Sequence, residues 1–147
     1  MIQRELYMKK VRPFIDKDII KVMTGIRRCG KSVMLKLIQQ ELLSMGRKKE
    51  QIFSLNFESQ LLPFSRDIGS ASMYLQNLLQ NASSKMYLFF DEVQELPGWE
   101  KLINSLMIDF DVDIYITGSN AYLLSSELAT YLSGRYTEIR MYPFSFS

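Results

Sequence analysis

Apolar positions along this chain switch repeatedly between two periods. Ile19, Ile20, Val22 and Met23 make a strand-like approach to Gly25. After Ser32 the spacing becomes helical, with Leu35, Ile38, Leu42 and Met45 on one stripe. Gln51 to Phe57 reads as a strand, and Ser70 to Gln80, carrying Met73, Leu75, Leu78 and Leu79, as a helix. Met86 to Phe90 is apolar without a break, which suits a parallel strand buried on both faces. Pro97 and Gly98 mark a turn, and Trp99, Leu102, Ile103, Leu106, Met107 and Phe110 follow helical spacing behind it, with Trp99 as a core or helix-start anchor. Val112 to Thr117 and Tyr136 to Met141 read as strands. Strands alternating with helices imply an α/β domain of three layers, a parallel sheet with helices on both faces.

The junction of the first strand and the helix after it reads Gly25-Ile26-Arg27-Arg28-Cys29-Gly30-Lys31-Ser32. This is a full match to G-x-x-x-x-G-K-S/T, the phosphate-binding loop of P-loop NTPases, in the strand, loop and helix setting that the motif requires. Gly25 and Gly30 lack a Cβ, so the backbone can wrap a phosphate with its N–H groups inward. The helix start adds the positive end of its macrodipole. Lys31 is expected to reach the β- and γ-phosphates, and Ser32 to offer its hydroxyl to Mg²⁺. The expected nucleotide contacts are Gly25, Ile26, Arg27, Arg28, Cys29, Gly30, Lys31, Ser32 and Val33.

A second constellation follows the apolar run. Asp91 and Glu92 emerge at the end of that strand, where ligands bind in open α/β sheets. Asp91 is expected to join Ser32 at the metal, and Glu92 to polarise the attacking water as general base. The strand Val112 to Thr117 runs into Gly118-Ser119-Asn120. Asn120 either orients the lytic water or touches the γ-phosphate, or it caps the next helix; the readings are compatible.

The chain resembles an AAA+ type ATPase of the bacterial and archaeal kind. The matching segments are Gly25 to Ser32, Phe89-Phe90-Asp91-Glu92-Val93-Gln94, Ile116-Thr117-Gly118-Ser119-Asn120-Ala121 and Leu132-Ser133-Gly134-Arg135-Tyr136, and the similarity runs from Arg4 and Tyr7 to Pro143-Phe144-Ser145-Phe146. The resemblance implies strand order 5-1-4-3-2, ATP and Mg²⁺ as ligands, and Asn120 as a sensor of the γ-phosphate. It implies Arg135 as an arginine finger acting on a neighbouring subunit, hence a homo-oligomer; the residue reading alone allows a solvated loop arginine. It also implies that Asn56 restrains the catalytic glutamate until a partner binds, where the residue reading allows a plain strand-terminal asparagine. Residues 1–147 are expected to form the ATPase core alone, without the small helical lid and the further C-terminal domain usual in this branch, so the chain is expected to be a fragment.

Composition narrows the function classes. The chain has 147 residues, of which 47% are hydrophobic, so one domain with a real core is expected. The net charge of +2 argues for neither nucleic acid nor membrane. Basic runs occur at Lys9-Lys10-Arg12, Arg27-Arg28-Lys31 and Arg47-Lys48-Lys49. The middle run answers the phosphates, and the last is a solvated turn behind Gly46, with a nucleic-acid face as the alternative. One cysteine and no histidine exclude an internal disulfide and disfavour a zinc site. Cys29 is filler within the loop, or a redox-sensitive position. No apolar run approaches transmembrane length, and a reducing cytoplasm is the expected location. Glu58 to Asp67 is the expected mobile surface loop. Tyr7, Val11 and Phe14 either cover a sheet edge or, by resemblance, lie near the adenine. The favoured activity is Mg-dependent ATP hydrolysis coupled to a protein partner. A nucleotide-operated switch or scaffold without turnover and a DNA-associated ATPase are the alternatives. Asp91 and Glu92 disfavour a kinase, and the lack of an Asn-Lys-x-Asp motif disfavours a GTPase.

Overall fold

The uninterrupted apolar strands are explained by what lies on either side of them. In the computed structural model, which describes residues 2–25, 30–119, 132 and 134–142, the elements run α1 (Ile2–Val11), β1 (Ile20–Thr24), α2 (Lys31–Ser44), β2 (Ile52–Asn56), α3 (Ile68–Gln80), β3 (Met86–Asp91), α4 (Trp99–Asp109), β4 (Val112–Gly118) and β5 (Tyr136–Arg140). All neighbouring strands pair in parallel, in the order β2-β3-β4-β1-β5. This is the expected 5-1-4-3-2 order read from the other edge. Alternate residues then face opposite layers. Leu88, Phe90, Ile114, Ile116, Ile20 and Val22 pack with Leu75 and Leu79 of α3 and Trp99, Ile103 and Leu106 of α4. Tyr87, Phe89, Tyr115 and Met23 pack on the other side with Val11 of α1 and Met34, Ile38 and Leu42 of α2. The Phe89 and Tyr115 rings stack across β3 and β4 with centroids 4.7 Å apart.

The segment before β1 takes the covering role. Tyr7 and Val11 are buried, but Phe14 is only half-buried, and Met8 and Ile15 complete that face. The Tyr7 hydroxyl accepts the Tyr142 N–H at 3.1 Å, and Arg12 bridges Glu5 at 2.6 Å and Glu41 at 2.5 Å.

One stripe position differs from expectation. Met45 is the C-cap of α2 and 47% exposed, because the helix closes there. Gly46 (φ 98°) turns the chain, Arg47 N–H reaches Leu42 O at 3.0 Å and Gly46 N–H reaches Leu43 O at 3.1 Å, the Schellman closure. Met34, at the other end of the helix, joins Leu35, Ile38 and Leu42 on the buried face. In α3, Met73 is 77% exposed. The buried face is Ala71, Leu75 and Leu79, spaced by four, and Met73 lies two residues off it. The same helix starts at Ile68, two residues before the expected Ser70, because Asp67 Oδ1 accepts the Ser70 N–H at 2.8 Å. In the expected loop Glu58 to Asp67, Phe64 packs back onto α3, its ring 5.3 Å from that of Tyr74. No described helix is long and apolar enough to cross a membrane.

Candidate functional site

Parallel strands deliver their carboxyl ends to one edge, and β4 stands between β1 and β3. Gly25, Asp91 and Gly118 therefore meet there. Gly30 is the N-cap of α2 at φ 91°, ψ 17°, a left-handed conformation that glycine adopts without steric cost. It has no side chain to cap the helix, and Met34 N–H makes the first helical bond, to Gly30 O at 3.0 Å. The amides of residues 31–33 have no intrahelical acceptor, which makes the helix start a ready anion site.

Lys31 is 4% exposed. Its Nζ donates to Gly25 O at 2.8 Å and Gly118 O at 3.1 Å, tying the ends of β1 and β4 together, and lies 3.7 Å from Glu92 Oε2. Ser32 Oγ donates to Asp91 Oδ2 at 2.5 Å. The other carboxylate oxygen of Asp91 accepts from the Thr117 hydroxyl, which itself accepts the Glu92 N–H at 3.0 Å. Glu92 sits at φ 55°, ψ 56°, an uncommon conformation for a residue with a side chain. Gln94 Nε2 donates to Glu92 Oε1 at 2.7 Å.

Of the residues expected from the sequence, Gly25, Gly30, Lys31, Ser32, Val33, Asp91 and Glu92 gather at this edge, Val33 in the first turn of α2 and 38% exposed. Ile26, Arg27, Arg28, Cys29 and Asn120 lie outside the described residues. Arg135 stands at the opposite edge, where its carbonyl accepts the Ile20 N–H at 3.0 Å and its guanidinium donates to Asn104 Oδ1 at 2.7 Å. Asn56 is the register partner of Asp91, yet its Oδ1 accepts the Glu58 N–H at 2.9 Å; the amide on Glu92 comes from Gln94 instead. Thr117 and Gln94 were given no role from the sequence, although both lie in segments that carry the resemblance. Thr117 ends an apolar run, and only the pairing of Phe90 with Ile116 sets it beside Asp91.

The donor set suits a hard cation. Among the described residues no group of three or more His, Cys, Asp or Glu side chains forms a metal cage. Magnesium needs none, since it is commonly held by one or two carboxylates together with substrate phosphates and waters. A serine hydroxyl touching a carboxylate at the mouth of an anion site fits that pattern.

A second polar cluster lies at the amino ends of the strands. Buried Lys21 pairs with Asp113, which also accepts from Tyr115 OH at 2.6 Å and Asp16 N–H at 3.0 Å. Asp16 in turn accepts from Tyr87 OH at 2.5 Å and Arg47 at 2.6 Å, with Lys85 at 3.3 Å. Burial pulls the Lys21 ammonium down against the pull of Asp113. Burial and Asp16 push the Tyr87 hydroxyl up to about 12. Burial raises Asp16, but hydrogen bonds from Tyr87, Arg47 and Lys85 outweigh it and hold the carboxyl below its usual range. The run Arg47-Lys48-Lys49 is thus not wholly solvated, because Arg47 is spent on Asp16 and Tyr87. This cluster fastens the chain entering β1 to the base of the sheet.

Residues 17–147 match the family described as AAA domain. The chain is 46% identical over 146 residues to an uncharacterized protein of Haemophilus influenzae, covering 99% of this chain and 36% of that one. It is 34% identical over 158 residues to an uncharacterized protein of Methanocaldococcus jannaschii, covering 99% and 33%. The chain thus spans about a third of the length of these relatives. In fold it is similar to a chain in the structure of Drosophila ORC bound to AT-rich DNA and Cdc6, with a TM-score of 0.63 at 10% identity, covering 97% of this chain and 56% of that one. Its matched sequence, parallel sheet order and strand-end site agree: the chain belongs to the AAA domain family, within the AAA+ type P-loop ATPases.

Proposed function

We propose that this domain binds ATP with magnesium at the carboxyl edge of its sheet and hydrolyses it, the free energy passing to a protein partner or to a further segment of the protein. The observation that supports this most directly is the linkage of Lys31, Ser32, Asp91 and Glu92 into one set across the ends of three strands. Lys31 exchanges the carbonyls of Gly25 and Gly118 for the β- and γ-phosphates, acting as a point charge beside the amides of the α2 start. Ser32 and Asp91 hold a magnesium ion, whose charge offsets that of the phosphates. Glu92 takes a proton from the attacking water, and Asn120 orients that water. Membership of the AAA domain family supports adenine as the base.

Replacing Glu92 by Gln removes the proton acceptor and keeps the shape. Turnover is expected to fall by about 10²–10⁴-fold, with Mg-ATP affinity within about twofold of wild type. Wild-type turnover no faster than that of Glu92→Gln would assign the domain to nucleotide-operated switching. Absence of saturable Mg-ATP uptake by the full-length protein would end the reading altogether.

A further inference from the structure

Gln94 follows Glu92 in the short turn Val93–Glu95. The left-handed backbone at Glu92 turns the chain out of β3, and Glu95 N–H returns to Glu92 O at 3.1 Å. That turn lays Gln94 back over the carboxylate, where its Nε2 meets Glu92 Oε1 at 2.7 Å. The other end of the amide is unmet among the described residues: Gln94 Oε1 is buried and none of them gives it a hydrogen bond. Reversing the amide would set its oxygen against a carboxylate oxygen, two acceptors face to face. The orientation with the donor on Glu92 is therefore the one the site permits, although it leaves the acceptor without a partner among the described residues.

The second carboxylate oxygen has a different neighbour. Glu92 Oε2 faces Lys31 Nζ at 3.7 Å, and Lys31 is the cation that the proposed function sends to the phosphates. One oxygen of the base is thus held by a neutral amide that need not move, and the other by a cation that a triphosphate draws away. We infer that Gln94 is a positioning residue: it clamps one oxygen of Glu92 so that the other, freed when Lys31 turns to a bound nucleotide, faces the water to be activated. A glutamate side chain has three torsions to fix, and an unclamped carboxylate samples them at the cost of reaction geometry. Nucleotide occupancy and availability of the base become one event.

The inference rests on the ATPase reading, and its test separates the two. In the full-length protein, Gln94→Leu keeps the bulk and removes the donor, and Gln94→Glu sets a second carboxylate against the first. The expected result is a kcat about tenfold to a hundredfold lower for Gln94→Leu, lower still for Gln94→Glu, with the Mg-ATP Kd within about twofold of wild type. A second readout needs no turnover. The Gln94 side-chain amide resonances in ¹⁵N-labelled nucleotide-free protein, identified by their loss in Gln94→Leu or Gln94→Glu, are expected to shift when Glu92 becomes Ala. A kcat for Gln94→Leu equal to or above wild type, with Glu92→Gln inactive, overturns the clamp and leaves the ATPase standing. Amide resonances indifferent to Glu92→Ala overturn it also. If wild type itself shows no turnover, the ATPase reading falls, and the amide shift still decides whether the two side chains are joined.

Discussion

The Ser32 hydroxyl donates to Asp91 Oδ2 at 2.5 Å although 59 residues separate the two. Because β4 lies between β1 and β3, the first turn of α2 reaches across the tip of β4 to make this contact. Asp91 thereby has a donor on each oxygen, Ser32 on one and Thr117 on the other. If the pair is the protein's share of a magnesium shell, Ser32→Ala and Asp91→Asn should weaken the magnesium dependence of nucleotide binding more than binding without metal. Hydrogen bonds to charged groups are typically worth about 1.5–3 kcal/mol, so the magnesium concentration at half effect should rise about tenfold to a hundredfold. Titrating magnesium against a fluorescent ATP analogue measures this, and an unchanged midpoint in both variants removes the metal assignment.

Thr117 joins the two acidic residues through one hydroxyl. Thr117→Val keeps the shape, removes a donor to Asp91 and leaves the Glu92 amide without its acceptor. A buried polar group deprived of its partner costs about 1–3 kcal/mol. For a chain of this size each kcal/mol lowers Tm by about 2–4 °C. The variant should melt several degrees lower and turn over more slowly, and Thr117→Ser, which restores the hydroxyl, should recover most of the turnover. Equal rates in Val and Ser variants would separate Thr117 from the chemistry.

The parts of the site that depend on local order in the sequence were legible, and those that depend on register were not. Gly25, Gly30, Lys31 and Ser32 are contiguous in a motif, and Asp91 and Glu92 follow a run whose apolar character requires burial on both faces. Thr117 matters only because Phe90 pairs with Ile116, and no local pattern states that pairing. Gln94 reaches Glu92 because Glu92 is left-handed, which the sequence Asp-Glu-Val-Gln does not announce. Met45 shows the same limit in α2: helical spacing set it on the apolar stripe, and a closing glycine left it outside. The resemblance implied Asn56 on Glu92 and the residue reading a plain strand-terminal asparagine; an asparagine beside a turn finds a backbone N–H two residues on, here that of Glu58.

Asp16 tests the cluster at the base of the sheet. It has φ 65°, which Asn tolerates as well as Asp does, so Asp16→Asn removes charge without adding strain. The folded-state pKa of Asp16 is depressed, so its contribution is present above the unfolded value near 3.9 and is lost as pH falls through the folded value. Its side chain is 30% exposed, which screens the ion pairs and limits the expected loss to about 1 kcal/mol at pH 7. Thermal melts should place the variant about 3 °C below wild type at pH 7, with the gap narrowing as pH drops below about 4. A gap that does not change with pH means that the charge on Asp16 contributes nothing.

Arg135 lies at the far edge of the sheet from its own strand-end site. Its carbonyl bonds the first residue of β1, whereas Gly25 lies beyond the last, about 16 Å away at the rise of a parallel strand. Its guanidinium rests on Asn104 of α4, half-buried. In an assembled oligomer, Arg135→Ala should cost on the order of a thousandfold or more in turnover while leaving Mg-ATP affinity unchanged. Loss of the Asn104 contact alone accounts for about 1 kcal/mol of stability, so Asn104→Ala should reproduce the drop in Tm and not the drop in rate. Mixing gives the sharper result. Subunits with Lys31→Ala have a disabled phosphate loop and an intact Arg135, and subunits with Arg135→Ala have the reverse. Each alone should turn over far more slowly than wild type, and a mixed oligomer should regain turnover wherever an intact loop faces an intact arginine. If mixtures stay as inactive as their components while wild type assembles and turns over, Arg135 is a structural partner of Asn104 and no finger.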